Sequence, residues 1–353
     1  MPAMSELRVV NAGRVGAARS QALWHGIASA MAADERPTLS FCRSTAAYVC
    51  LGYHHPLADI DLEACRRRDL PILRRRIGGG PVYMDGDQLL FQLTMPAGRA
   101  PVGVDRLYRT LLGPAVTAFR ALGAAARLSG VNDIAVGDRK ISGTGAGQIG
   151  DAVTVVGNVI FAFPYEQMVE VLNLPSEGMR RRCLALMRRH LAPIDAVVGG
   201  TSGNRNGQPV SEDEARGALI RAYGEAMERT ACEGELTDRE EEEIGGWEKR
   251  LADPEWVAGP PPPARSAHRV KIHAEVWALR AQDGDWGLEY SVVGGVLQDV
   301  EVATPGLNGG GERLAAALSG LPADVTALAR RLEPFGEAGR RVAAIAAPGL
   351  HLR

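Results

Sequence analysis

Cysteine is sparse and unpatterned in this chain. The five residues Cys42, Cys50, Cys65, Cys183 and Cys232 are odd in number, and no pair has C-x-x-C spacing, which argues against a disulfide framework and a cysteine zinc site. Cys42 and Cys50 lie in apolar, strand-like stretches and read as buried hydrophobes. No H-E-x-x-H occurs, and the adjacent His54 and His55 would point in different directions, so no metal site made by protein side chains alone is expected. Apolar runs stay well short of the roughly 18 residues that a membrane span needs. Met1–Ala12 lacks the basic, apolar, small-residue order of a signal peptide. A cytoplasmic protein without a membrane partner is therefore the expectation. The formal net charge of −2 lacks the cationic excess of a whole-protein nucleic-acid binder, so no nucleic-acid partner is expected.

The common nucleotide fingerprints are missing too. No Walker A sequence, G-x-x-x-x-G-K-[ST], occurs, which excludes a P-loop site. Gly145-Ala146-Gly147-Gln148-Ile149-Gly150 fits G-x-G-x-x-G, but the following Ala152–Phe163 reads as a strand. The helix N-terminus that gives that fingerprint its phosphate affinity is absent, and a dinucleotide-binding fold is rejected.

What is present is enough chain for two domains, 353 residues with 46% apolar and 23% charged content, an ordinary globular mix. Helical spacing covers Gly16–Ala32, Asp59–Arg68 and Val104–Leu122, where Pro114 implies a kink or early break. Strands are expected at Thr38–Cys42, Ala46–Gly52, Pro71–Arg75, Val82–Tyr83 and Leu89–Met95. Two more, Lys140–Ser142 and Ala152–Phe163, flank a glycine-rich turn; helices then dominate Tyr165–Arg229 around an irregular Gly199–Gly207 loop. Pro260–Pro263 reads as an extended spacer. Beyond it lie three strand-like runs, Val270–Arg280, Gly287–Val293 and Leu297–Ala303, and two helices, the second carrying an apolar stripe of Val325, Leu328, Ala329 and Leu332. Sheets with helices beside them, not strict βαβ alternation, give an α+β class with mixed sheets and flanking helices. The expected organisation is a domain over 1–245, a linker over 246–267 and a small α+β domain over 268–353.

Two segments carry chemistry. In Arg74-Arg75-Arg76-Ile77-Gly78-Gly79-Gly80-Pro81-Val82-Tyr83, arginines that can fork onto phosphate precede three glycines that let backbone approach a ligand. Some sixty residues on, Asn132-Asp133 and then Gly137–Gly143 place Lys140 on a short strand, alternating with apolar neighbours so that it projects from the sheet into a cleft. Together, in this order, the two segments resemble the lipoate–protein ligases, whose pattern is roughly R-R-x-x-G-G-G-A-V-[YF]-H-D, then R-N-D, then G-[RD]-K-[IV]-S-G-[ST]. The resemblance runs from about Ala18 to Asp195, more weakly through Trp247–Pro260, and residues 268–353 are similar to that family's accessory domain.

The resemblance implies the biotin/lipoate ligase catalytic fold and a two-step reaction: ATP and lipoate form lipoyl-AMP, with Mg²⁺ offsetting triphosphate charge, and the lipoyl group then passes to an acceptor lysine. It implies that Arg75 holds the nucleotide phosphates. Gly78, Gly79, Gly80, Pro81, Val82 and Tyr83 cup the adenylate, with Ser142 and Gly143 beside it. Lys140 contacts both the lipoyl carbonyl and the α-phosphate, and Asn132 and Asp133 lie near the phosphates and Mg²⁺. The implied partner is a lipoyl-domain acceptor, such as a 2-oxoacid dehydrogenase subunit, a glycine-cleavage H protein or a similar small lipoate-binding protein. Such domains tend to be acidic, so Arg66–Arg68 and Arg180–Arg182 are candidates for steering them. Four departures stand out: Pro81 replaces alanine, Met84 a histidine, Val156 the histidine of a His-Gly pair, and Pro164 an acidic residue. The rival readings are an octanoyl- or lipoyl-transferase working through a cysteine thioester, for which Ser129–Gln148 supplies no cysteine, and a non-catalytic lipoyl-binding protein. The biotin ligase signature G-R-G-R-x-G-R is absent.

Overall fold

Alternating apolar residues build the sheets, and apolar stripes at helical spacing cover them. A computed structural model describes residues 5–198, 208–259, 267–305 and 309–350. The expected Gly199–Gly207 loop and the Pro260–Pro263 spacer lie outside the described residues. The chain opens with β1 (Glu6–Val15), α1 (Ala17–Ala30), β2 (Thr38–Ser44), β3 (Tyr48–Leu51), α2 (Leu62–Arg67), β4 (Ile72–Arg74), β5 (Val82–Met84) and β6 (Gln88–Pro96). It continues with α3 (Val104–Ala121), β7 (Arg127–Ser129), β8 (Asp133–Val136), β9 (Arg139–Gly143), β10 (Gly145–Ile149) and β11 (Ala152–Ile160). Then come α4 (Tyr165–Glu170), α5 (Glu177–His190), α6 (Glu212–Ala226), β12 (Thr230–Glu233), α7 (Asp238–Ala252) and α8 (Pro254–Ala258). The last stretch is β13 (Ala267–His273), β14 (Val276–Asp283), β15 (Trp286–Val293), β16 (Val296–Ala303), α9 (Gly310–Leu318), α10 (Val325–Leu332) and α11 (Gly336–Ala346).

The described residues fall into two compact units, one drawn from 1–172 and 192–262, the other from 173–191 and 263–353. In the first, a mixed six-stranded sheet runs β10-β11-β6-β2-β1-β12, with β1 parallel to both its neighbours and the remaining pairs antiparallel. Every residue of β6 is buried, because both faces are covered. Leu89, Phe91, Leu93 and Met95 pack with Leu112 and Phe119 of α3 and Leu219 and Tyr223 of α6. The opposite face meets α1 and α7, where Leu23, Ile27, Ile244 and Trp247 close a second core. These two helices approach so closely that a Cβ on Gly26 would lie 2.4 Å from Ile244 Cγ1, a contact only glycine tolerates. Two smaller sheets, β4-β3-β5 and β7-β8-β9, carry the arginine–glycine and lysine segments.

The second unit is an antiparallel meander, β13-β14-β15-β16. Leu288, Tyr290 and Val292 of β15 share a core with Leu314, Leu328 and Val342 of α9, α10 and α11. The alternate residues of β15 meet α5: Ser176, its N-cap, donates to Glu289 (2.6 Å), and Arg182 reaches Ser291 (3.5 Å). Arg182 also pairs with Glu301 (2.8 Å) and donates to Asp299 O.

Several expectations change. The helix Glu177–His190 groups with the C-terminal unit although sequence order put it inside 1–245, and the range 246–267 contains the end of α7 and all of α8 where a linker was expected. The glycine-rich turn before β11 is itself a strand, β10, because it pairs with β11 over its whole length. The three C-terminal strand runs are four, since Val270–Arg280 turns at Ala274–Glu275, and the two following helices are three. Strands β1 and β12 were not expected; β1 lies inside the sheet between β2 and β12, and the short, polar β12 is an edge strand that only its pairing with β1 supplies. Helix α3 passes unbroken through Pro114. Pro114 disturbs the carbonyls of the preceding turn, and the buried Tyr223 hydroxyl donates to Leu111 O there (2.9 Å).

Candidate active site

Strands β8 and β9 form a tight hairpin whose register skips Ile141, pairing Ile134 with Ser142 and Ala135 with Lys140. Such a bulge re-aims the side chains around it. Lys140 Nζ lies 2.8 Å from Asp133 Oδ1; the lysine side chain is about one-fifth exposed and the carboxylate is buried. The hairpin mouth is braced by Asn132, whose Nδ2 donates to Thr144 O (2.8 Å) while Thr144 Oγ1 donates to Asn132 O.

The glycine-rich segment lies between β4 and β5 and is gripped from two sides. Arg74 is buried, and its guanidinium donates to the carbonyls of Gly52 (2.9 Å), His55 (2.7 Å) and Val257 (2.7 Å), while Trp256 Nε1 donates back to Arg74 O (2.8 Å). Arg75, also buried, donates to Cys50 O (3.0 Å) and to Gly78 O and Gly80 O (both 2.9 Å), curling the glycines around its own side chain. Gly78, Gly79 and Gly80 stay exposed, Pro81 and Val82 are half-buried, and Tyr83 is buried. Arg76 is exposed, and its backbone N–H donates to His25 Nε2 (3.1 Å). Because Nε2 accepts, the His25 proton sits on Nδ1, donated to Gln21 O (2.7 Å). Burial drives the His25 pKa down to about 3, with Arg75 and Arg76 adding repulsion, so the ring is neutral.

Ile77 docks on β10. A Cβ on Gly147 would lie 2.5 Å from Ile77 Cγ2, and one on Gly145 2.9 Å from its Cδ1. The two glycines that mimic a dinucleotide fingerprint therefore make room for an isoleucine, not for a phosphate.

A buried polar chain joins the two segments. Asn158 of β11 accepts at Oδ1 from Gly143 N (2.8 Å) and, more weakly, from Ser142 Oγ (3.4 Å), and its Nδ2 donates to Gln88 Oε1 (2.8 Å). Gln88 Nε2 donates to Tyr83 O (3.0 Å) and lies 3.4 Å from Asp85 Oδ1. Tyr108 of α3 sits against the same region: burial raises its pKa, the Ala146 N–H and the Arg75 charge lower it, and the Asp133 charge raises it. The charges of Arg75 and Asp133 thus both reach Tyr108. Burial raises the Asp85 carboxyl, partly offset by the Asp87 N–H and Gln88.

Arg75, Gly78–Tyr83, Asn132, Asp133, Lys140, Ser142 and Gly143 are accordingly all in the first unit, whereas Arg180–Arg182 belong to the second. Ser142 and Gly143 sit at the Asn158 junction, and Lys140 and Asp133 face each other. Sequence reasoning missed His25, Gln88, Tyr108 and Asn158. The one available signal was Asn158 itself, a polar residue in the apolar run Ala152–Ile160, since a buried polar group is more informative than a buried apolar one. Of the departures, Met84 is buried and Val156 half-buried, and both join the apolar cluster of Ile77 and Val82; Pro164 precedes α4 without capping it. Among the described residues no group of three or more His, Cys, Asp or Glu side chains is placed to hold a metal ion. The five cysteines are free thiols, four of them buried. No helix among the described residues is long and apolar enough to cross a membrane.

This arrangement has counterparts. The chain is 26% identical over 239 residues to lipoate-protein ligase A subunit 1 of Thermoplasma acidophilum, covering 64% of this chain and 86% of that protein. It is 24% identical over 260 residues to octanoyltransferase LipM of Symbiobacterium thermophilum, covering 67% and 92%. Among solved structures, a lipoate-protein ligase A bound with ATP superposes with a TM-score of 0.60 at 25% identity, covering 72% of this chain and 99% of that one. A bipartite lipoate protein ligase from T. acidophilum, described with its E2 lipoyl domain, gives 0.64 at 24% identity, covering 74% and 98%, a likeness of fold. Residues 17–224, more than half of the chain and including both the glycine-rich segment and the Lys140 hairpin, match the lipoyl protein ligase A/B catalytic domain, and the chain belongs to that family.

Proposed function

We propose that the protein is an ATP-dependent lipoate–protein ligase. The observation that carries this reading is the pairing of Lys140 with the buried Asp133 carboxylate, linked by a polar chain to an exposed glycine turn with arginines at its base. The lipoate carboxylate would attack the α-phosphorus of ATP, breaking the bond to pyrophosphate and forming lipoyl-AMP. An acceptor lysine amine would then attack the acyl carbon, losing its proton as AMP leaves. Both steps move negative charge onto oxygen, where a fixed ammonium and backbone N–H groups stabilise it. Asp133 orients Lys140 toward that charge, and the exposed Gly78–Gly80 backbone is open to a phosphate.

Arg75 would act on phosphate mainly through its field, since its guanidinium is already bonded to three carbonyls. Mg²⁺ would arrive with the triphosphate and be held chiefly by its oxygens, because the described residues supply no metal cluster. The acceptor we infer is a lipoyl-domain protein, by analogy with the archaeal relative described with its E2 lipoyl domain.

The relatives include octanoyltransferases, so a cysteine-dependent transferase is the second reading. Cysteine placement weighs against it. Burial pushes Cys42 up to about 12 and Cys65 up to about 11, and raises Cys50 in spite of the neighbouring Arg75. Burial also pushes Cys183 up to about 12, and Cys232 lies on β12, at the opposite edge of the six-stranded sheet from β10. Isotope exchange between pyrophosphate and ATP, dependent on lipoate, tests the proposal. Exchange is expected; acyl transfer from a preloaded donor protein without ATP would instead establish the transferase.

A further inference from the structure

We propose that Asn158 is a positioning residue that sets the Lys140 hairpin against the glycine-rich segment through a one-way relay of hydrogen bonds. The inference rests on the ligase reading for its activity readout only. The relay runs Gly143 N–H to Asn158 Oδ1, Asn158 Nδ2 to Gln88 Oε1, and Gln88 Nε2 to Tyr83 O. Its two ends are backbone groups that cannot exchange roles: the Gly143 N–H can only donate and the Tyr83 carbonyl can only accept. Each amide between them therefore has one permitted orientation, and turning either one sets two acceptors or two donors against each other.

The relay is buried, with Gln88 and Asn158 both under one-tenth exposed, so water cannot readily take over a broken link. It spans separate elements: Gly143 ends β9, Asn158 is on β11, Gln88 opens β6, and Tyr83 is in β5. Register accounts for its reach. Asn158 lies opposite Leu90 and Ile160 opposite Gln88, so Asn158 and Gln88 are diagonal neighbours on one face of the sheet, within span of two amide side chains. Lys140 lies at the end of the same path, since a Cβ on Gly143 would sit 3.6 Å from Lys140 Nζ.

The expected effect is on the rate of chemistry. If the relay fixes the ammonium relative to the glycine turn, its loss misplaces groups that must converge only as the adenylate forms. Asn158→Leu should lower the maximal pyrophosphate exchange rate by about 10- to 100-fold, with much smaller changes in the KM for ATP and lipoate. Gln88→Leu should do the same, and the double variant should be no slower than the worse single one. Asn158→Asp keeps the acceptor for Gly143 but breaks the Gln88 link, and should lose rate with its fold intact by circular dichroism. Amide hydrogen exchange on the unliganded protein tests the relay without reference to the reaction: Gln88→Leu, which removes hydrogen bonds to Tyr83, Asp85 and Asn158 and none to the Lys140 hairpin itself, should speed exchange at Gly143. Unchanged Gly143 protection in Gln88→Leu, or additive rate losses in the double variant, would overturn the inference. Absence of exchange between pyrophosphate and ATP in the unmodified protein would count against the ligase reading alone and leave the Gly143 test standing.

Discussion

Lys140 and His25 are the two residues whose surroundings change what their substitution would do. A lysine projecting freely into a cleft could be replaced without a structural penalty, but Lys140 is the partner of a buried carboxylate. Lys140→Met should reduce adenylate formation by about 10²- to 10³-fold. It should also lower the melting temperature, because a buried carboxylate that loses its ion-pair partner is strongly destabilising. Pairing it with Asp133→Asn should recover the melting temperature while exchange activity stays lost. A double variant that regained activity would remove Lys140 from the chemistry. His25 carries a pH signature. Its folded pKa of about 3 lies below the unfolded value of 6.5, so across that window the unfolded chain binds a proton that the native one does not. Its contribution to stability is therefore complete above 6.5 and declines as the pH falls toward 3. His25→Gln keeps an acceptor for the Arg76 N–H and removes the titration. Denaturant unfolding at several pH values should then show a slope smaller by up to one proton, about 1.4 kcal/mol per pH unit. An unchanged slope would mean that His25 is not buried neutral.

At the scale of elements, α5 alters the reading of both the basic segments and the C-terminal region. Its buried face includes Met179, Arg182, Cys183, Leu186 and Met187, and its polar contacts go to β15 and β16. Arg182 therefore serves packing within the second unit, and Arg67, Arg68 and Arg180 pair with Glu63, Glu170 and Glu177, which leaves the exposed Arg66 and Arg181 as the candidates for the proposed steering of an acidic acceptor. Arg182→Glu would place a buried carboxylate beside Glu301. We expect it to cost about 3 kcal/mol or more, visible as a lowered melting transition. Deleting residues 260–353 would strip α5 of its sheet, and the remaining chain should bind a hydrophobic dye and aggregate. Removing Asn173–Leu191 as well should relieve this; equal solubility of the two shortened chains would show that α5 does not need the sheet. On β10, Gly147→Ala would drive a methyl into Ile77 and shift the glycine-rich segment. The expected result is weaker ATP binding by calorimetry with little change in lipoate affinity.

For the whole molecule, the first unit brings together a glycine turn, a lysine hairpin and the polar chain between them. Burial raises the pKa of all four buried cysteines, so none of them is a ready thiolate. Alkylation with iodoacetamide under native conditions should therefore leave lipoyl transfer intact, whereas a cysteine transferase would be inactivated.

The local signals in the sequence were enough for the motifs. Consecutive glycines after an arginine-bearing strand, and a lysine between Gly137 and Gly143, are contiguous features whose chemistry depends on near neighbours, and they identify the family and its fold. The alternation in β6 and the helical spacing of α1 were equally readable, because periodicity is a local property. Other features existed only once distant segments met. Strand β12 is an edge strand made by pairing with β1, more than two hundred positions away, and β10 became a strand because β11 lay beside it. The grouping of α5 with the C-terminal sheet depends on Arg182 and Ser176 meeting β15 and β16. The neutral state of His25 comes from burial against its chain neighbour Trp24 and against Trp247, and no window around His25 contains the second. The relay through Asn158 needs four backbone segments in one register. By itself the sequence determined which groups are available for chemistry. The tertiary structure decided which of them are buried, paired and aimed, because desolvation and hydrogen-bond direction are fixed by neighbours that are remote along the chain.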